Sequence, residues 1–261
     1  MNAHRKPKPE RGISLPTNFP PMSFLTAQWR KLIFANYPVD HRVLAPFVPA
    51  HTELDTWNDS AYVSVIGFLF RDVRLLGLRI PFHVTFEEVN LRFYVRRKVE
   101  DQWRRGVVFI KEIVPKPAIT FVANTLYDEA YETRPMHHRW THTAQQQQVE
   151  YNWRVGSRWQ TVAVTAENAL VDIRPGSEEE YITEHYWGYS RKSAAKTTEY
   201  EVTHPRWQQS PVTDYRLDVD FELNYGHAFA FLNERSPASV FLTEGSPITI
   251  EGKRSLGPPR R

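Results

Sequence analysis

Between Val84 and Arg97 the sequence VTFEEVNLRFYVRR alternates with period two, and its two faces differ sharply. Val89, Leu91, Phe93 and Val95 share one face; Phe86, Glu88, Asn90, Arg92 and Tyr94 share the other. The pattern predicts a long strand with one side packed on apolar neighbours and the other turned to water or to a polar cavity. RRGVVFIKEIV is its expected hairpin partner, and the apolar, β-branched run AYVSVIGFLF (Ala61 to Phe70) predicts a buried strand. From Gln28 the chain reads as a strand ending near Tyr37, a turn at Pro38 and a short helix with Asp40 as N-cap. MHHRWTHT, VEYNWRV and RWQTVAVTAE read as a meander, with Gln145 to Gln148 in a connecting loop and a turn at Gly156-Ser157. Ser177 followed by Glu178, Glu179 and Glu180 marks a helix start, with acids in the first turn where the helix dipole favours them. Many strands with one or two helices predict a mainly β fold, a large barrel or sandwich.

The proline-rich residues 1–21 and the residues from 253 to 261 read as disordered basic tails around a single domain spanning 22–252. Charge placement supports that division. The formal net charge is +3, but each end alone carries +3, from Arg5, Lys6, Lys8 and Arg11 against Glu10, and from Lys253, Arg254, Arg260 and Arg261 against Glu251. The body is therefore net negative, which disfavours a nucleic-acid groove. No apolar run reaches membrane-spanning length and no secretory leader is legible, so a cytoplasmic protein with no membrane contact is expected. The chain has no Cys, which removes disulfides, thiolate nucleophiles and zinc ribbons. Eight Trp within a 13% aromatic composition predict a ring-rich interior.

No GxGxxG, GxxxxGK, GxSxG or HExxH motif is present, so nucleotide cofactors and the common hydrolase sites lose their support, and no cofactor is expected. His138 and His142 share a strand face near His137, but no acid or further His stands beside them in the sequence, so no metal site is expected. Glu88, Asn90 and Arg92 are better candidates. A carboxylate, an amide and a guanidinium on one strand face can orient a polar ligand if that face lines a cavity, and form a solvated charge pair if it does not.

The blocks WRKLIFANYPVDHRVLAPFVPAHTELDTWNDSAYVSVIGFLF, FEEVNLRFYVRR, YITEHYWGYS and VTHPRWQ resemble the YqjF-like family of uncharacterised proteins across nearly the whole expected domain. That family is similar in fold to acetoacetate decarboxylase, which implies an acetoacetate-decarboxylase-like β-rich domain around a central pocket with a few peripheral helices. The resemblance implies a pocket arginine at Arg30, seven residues before Tyr37 in YPVD, and a pocket glutamate at Glu88 in FEE. The paired lysines of the decarboxylases fall on Tyr131 and Glu132, in ANTLYDEAYE. Imine chemistry needs an amine there, so acetoacetate decarboxylation is not expected.

The combined expectation is a pocket for a small anionic or carbonyl-bearing metabolite, with Arg30, Glu88, Asn90, Arg92 and Tyr131 as ligand-binding residues. An alternative from another class is a non-imine isomerase, hydratase or lyase using Glu88 or Glu132 as general acid/base, with Tyr131 as a second proton donor. An interaction module built on the basic tails is the third reading. Oligomeric state is left open, a homo-oligomer included.

Overall fold

The computed structural model describes residues 23–257, so the expected leading tail, 1–21, lies outside the described residues. The chain starts with β1 (Leu25–Val39), then α1 (His41–Leu44) continued by a 3-10 turn (Ala45–Phe47), and the two-residue β2 (Glu53–Leu54). Three long strands follow, β3 (Ala61–Leu75), β4 (Phe86–Val99) and β5 (Gln102–Val114), then α2 (Pro117–Leu126) and β6 (Tyr131–Thr133). A second meander, β7 (Met136–His142), β8 (Gln146–Val155) and β9 (Arg158–Glu167), leads through β10 (Val171–Asp172) to α3 (Glu178–Thr183). Next come β11 (Trp187–Ser193), β12 (Lys196–Thr203), β13 (Gln208–Ser210), β14 (Val212–Asp218) and α4 (Phe221–Tyr225). A 3-10 helix (His227–Glu234) precedes β15 (Ser239–Thr243), β16 (Pro247–Ile250) and β17 (Arg254–Leu256).

Strands β1, β3, β4 and β5 are antiparallel neighbours in that order. β5 then pairs in parallel with β11, and β11, β12 and β16 lead back to β1. The pairing closes into a ring, which leaves these strands few free edges. A separate four-stranded sheet, β14-β9-β8-β7, covers one side. The two faces of β4 separate into two cores as the period-two pattern requires. Val89, Leu91, Phe93 and Val95 join Ile33 and Val63 against Tyr151, Trp153 and Val162 of the outer sheet. Phe86 and Tyr94 join Phe34, Ile66, Phe68 and Phe70 within the ring.

Asp40 caps α1 by accepting from the Arg42 backbone N–H at 2.8 Å, and Ser177 Oγ caps α3 by accepting from Glu180 N–H at 3.2 Å, as the sequence predicts. Four local expectations change. Pro38 stays inside β1, beyond the point where β15 stops pairing at Asn36, and such an edge position tolerates the missing N–H. Gln146, Gln147 and Gln148 belong to β8, because Gln147 is drawn inward to donate to Ser210 Oγ and the Glu167 carbonyl. A helix, α2, stands where no helix start is legible in the sequence; Pro117 occupies its first turn, where proline's fixed φ is favourable. Arg254–Leu256, placed in the C-terminal tail by composition, pairs with β12 instead. The cause is electrostatic: the fully buried Glu199 carboxylate takes Arg254 as an ion-pair partner beside Arg97 and Arg104.

Candidate functional site

Strand register assembles the site. Asn90 of β4 stands opposite Glu112 of β5, and Glu112 opposite Tyr131 of β6. One row across three strands therefore carries an amide, a carboxyl and a phenol into the ring, with Glu88 and Arg92 two residues either side of Asn90. Glu88, Asn90 and Glu112 are each 2% exposed. Asn90 Nδ2 donates to Glu88 Oε1 at 2.9 Å, and the Tyr131 hydroxyl donates to Glu88 Oε2 at 3.2 Å. Arg92 donates to the Ile182 carbonyl at 3.2 Å, in the last turn of α3, and lies over the rings of Phe34 and Tyr94. Asn90 Oδ1 and Glu112 Oε2 are buried without a partner among the described residues.

These groups line an inner chamber of about 60 Å³, walled by rings that include Trp29, Phe68, Trp187 and Trp207. Tyr131, Tyr200, Phe70 and Ile250 also line a second, outer chamber of about 170 Å³. Tyr131 and Tyr200 are thus a shared wall, polar on one side and apolar on the other. The Tyr200 hydroxyl donates to Glu129 Oε1 at 2.8 Å, at the edge of the outer chamber.

Burial dominates the protonation of the acids. Desolvation raises Glu88 to about 7 even though Asn90, Tyr131 and Arg92 all favour its ionised form. Glu112 is pushed up by desolvation and by the neighbouring Glu129 and Glu88, and Glu129 reaches about 8 for similar reasons. A neutral carboxyl can donate a hydrogen bond as well as accept one, so the cluster can face either a carbonyl oxygen or a hydroxyl.

Three further chamber groups escaped the sequence reading. Glu112 and Tyr200 sit on strands whose inward faces were not separated from the outward ones. His185, just beyond the helix that starts at Ser177, follows α3 and lines the inner chamber. Its Nε2 is 3.0 Å from Asp55 Oδ2, and Arg105 Nε donates to the same oxygen at 2.6 Å. Desolvation lowers His185 to about 4, so the ring is neutral at pH 7, with its proton on Nε2 toward Asp55. Nδ1 is left as a buried acceptor with no partner among the described residues. Asp55 is desolvated too, yet its bonds from His185 and Arg105 hold it below the usual carboxylate range.

Two expected site residues are not brought here. Arg30 does not line either chamber; its guanidinium donates to Gln28 Oε1. The reason is a β-bulge at Lys31, whose φ is 53°, which reverses the inward phase of β1. Ala27 and Trp29 face the ring interior before it and Leu32 and Phe34 after it, so Trp29 takes the place that spacing assigned to Arg30. Glu132 follows Tyr131 on the opposite face of β6 and pairs with Lys111 at 2.8 Å and with Arg134. Among the described residues, no lysine side chain lines either chamber. His138, expected to stand without an acid, has Glu87 of β4 at 2.6 Å from Nδ1. Among the described residues no group of three or more His, Asp or Glu is placed to hold a metal ion, and no helix is long and apolar enough to cross a membrane.

Residues 26–247 match DUF2071, described as an uncharacterized conserved protein. The chain belongs to the DUF2071 family. A curated relative, the uncharacterized protein YqjF of Bacillus subtilis (strain 168), is 36% identical over 90 residues, which span 34% of this chain and 36% of that protein. The DUF2071 domain is also similar in fold to solved structures. One is the enduracididine biosynthesis enzyme MppR complexed with the condensation product of pyruvate and imidazole 4-carboxaldehyde (TM-score 0.62, 12% identity, 89% of each chain). A second is an acetoacetate decarboxylase-like enzyme from Sphingomonas wittichii RW1 (0.60, 11%, 90% of this chain and 94% of that one). A third is acetoacetate decarboxylase from Legionella pneumophila (0.59, 14%, 94% and 93%). The acetoacetate-decarboxylase-like, β-rich fold is established; identities this low carry the fold alone.

Proposed function

We propose that this DUF2071 protein holds a small anionic or carbonyl-bearing metabolite in the inner chamber without forming an imine. The observation that carries the reading is the Glu88 carboxyl fixed between Asn90 and Tyr131, with Arg92 beside it and no lysine among the described residues of the lining. Arg92 supplies a permanent positive charge for an anion. Glu88, whose protonated form is favoured by burial, and Glu112 Oε2, without a partner among the described residues, supply hydrogen-bonding sites for a carbonyl or hydroxyl, in low-dielectric surroundings that strengthen each bond. The two positions matched to decarboxylase lysines carry a phenol on the chamber wall and an ion-paired carboxylate facing away. A pyruvate complex of MppR, which is similar in fold, supports a small oxo acid as a ligand type.

A second reading, a non-imine isomerase, hydratase or lyase, is favoured by one specific observation. Glu88 at about 7 is poised to give or take a proton at neutral pH, and the neutral His185 lies in the same lining. Screening the full chain against small keto, hydroxy and enol acids separates the two. Saturable stabilisation without turnover, weakened in Arg92→Gln, is the result expected of a binding protein. Turnover abolished by Glu88→Gln would assign an enzyme, and absence of any saturable ligand in this class would remove both readings.

A further inference from the structure

Both readings concern the inner chamber, while the larger cavity beside it has a different chemistry. Its lining is apolar almost throughout, with Phe70, Val73, Phe86, Ile119, Val122 and Ile250 among its walls. The polar groups facing it include the Tyr131 and Tyr200 phenols and the Glu129 carboxyl at the boundary with the inner chamber. Polarity therefore falls on passing from the inner chamber to the outer one. Phe82 and Phe121, next in sequence to lining residues, are 87% and 70% exposed, which gives the surface near this cavity an apolar character as well.

Size narrows the occupant. An apolar cavity of about 150 Å³ stays dry and accepts benzene. The outer chamber, at about 170 Å³, matches a phenyl ring or a short alkyl chain of similar volume. We infer that the outer chamber is a binding site for one apolar group of about benzene size, carried by the ligand whose polar head occupies the inner chamber. The ligand class is thus an aryl- or alkyl-substituted oxo or hydroxy acid, with the Tyr131 and Tyr200 rings packed against the junction of head and tail. The head-group part of this statement rests on the function proposed above; the apolar site does not.

Two probes keep these parts apart. Toluene, titrated into the full chain and followed by ligand-observed NMR, tests the outer chamber alone. Saturable binding is expected, with at least tenfold loss in Ala123→Phe, since Ala123 of α2 lines the cavity and the added ring would fill it. Val122→Phe fills the same cavity and serves if the first variant does not fold. Pyruvate, 2-oxohexanoate, 2-oxooctanoate and phenylpyruvate, titrated by calorimetry, test the union of the two chambers. Affinity is expected to rise about three- to fourfold per methylene until the cavity is full, and to lose this dependence in Ala123→Phe while pyruvate affinity stays within twofold. No toluene binding, or binding unchanged in both filled variants, overturns the apolar site whatever pyruvate does. Toluene binding with no affinity for any oxo acid leaves that site standing and refutes the head-group reading. Pyruvate binding that chain length does not improve refutes the single-ligand inference.

Discussion

The Tyr131 hydroxyl donates to Glu88 Oε2 across 3.2 Å, joining β6 to β4 over the intervening β5. The bond favours the ionised carboxylate, against the stronger opposing effect of burial. Tyr131→Phe removes the hydroxyl and keeps the ring. Glu88 is then expected to titrate above its present value of about 7, and ligand affinity to fall about tenfold, the equivalent of one hydrogen bond of ~1–1.5 kcal/mol. Carboxyl-carbon NMR against pH and calorimetry check the two effects. Loss of folding would instead make the phenol structural.

Glu88 also sets a pH dependence of stability. Its folded value of about 7 lies above the ordinary 4.5, so its neutral form stabilises the fold fully below about pH 4.5. That contribution is lost as pH rises through about 7, and a shift of this size amounts to on the order of 3 kcal/mol. Glu112 and Glu129 act in the same direction. Glu88→Gln stays neutral at every pH. Urea unfolding at pH 5 and pH 8 is expected to show the variant gaining on the parent chain as pH rises, and an equal loss in both proteins would contradict the assignment.

Asp55 accepts from Arg105 at 2.6 Å, lies 3.0 Å from His185 and has Arg96 at 4.0 Å. Asp55→Ala strands a buried imidazole N–H and a half-buried guanidinium. Equilibrium unfolding at neutral pH should register a loss of about 3 kcal/mol. His185, lowered to about 4, contributes stability above its unfolded value near 6.5 that disappears as pH falls through 4, so His185→Gln should flatten the acid limb of the stability profile.

Gly188 shows how backbone economy fixes the chamber wall. A Cβ there would run into the ring of Tyr200 on the adjacent strand, the side chain that bonds Glu129. Gly188→Ala is therefore expected to cost about 1–3 kcal/mol in thermal or urea unfolding, and the same change made in a Tyr200→Ala background, where the ring is gone, should cost far less. An equal cost of Gly188→Ala in both backgrounds would place the strain elsewhere.

Much of this was legible in the sequence, for identifiable reasons. The inward set Glu88, Asn90 and Arg92 follows from period two alone, because β4 stays regular over the inward stretch from Phe86 to Asn90. Caps at Asp40 and Ser177 are local and read directly. Arg30 fails because a single bulge at Lys31 reverses every side chain beyond it, and spacing counted along the chain cannot register that reversal. Glu132 fails for a related reason: one residue from Tyr131, it belongs to the other face of the strand, where Lys111 and Arg134 neutralise it. Glu112 stands opposite Asn90 in the β4–β5 hairpin and Tyr200 opposite Gly188 in the β11–β12 hairpin. The two hairpins meet through the parallel pairing of β5 with β11, between distant segments, that no local pattern encodes; His185 enters the chamber just before that pairing. The family resemblance brought the fold into view, and register decided which residues face the cavity.

The central claim is a carbonyl-binding chamber that works without an amine. The full chain incubated with acetoacetate or pyruvate, treated with borohydride and weighed by intact-protein mass spectrometry tests it most directly. The expected result is an unchanged mass at ligand concentrations that saturate binding, with only slow, non-saturating labelling of surface lysines, which are protonated near neutral pH. Rapid, saturable formation of a reduced adduct mapping to Lys111, the partner of Glu132, or to Lys116, which precedes Pro117 at the start of α2, would contradict the claim and place Schiff-base chemistry at a shifted position.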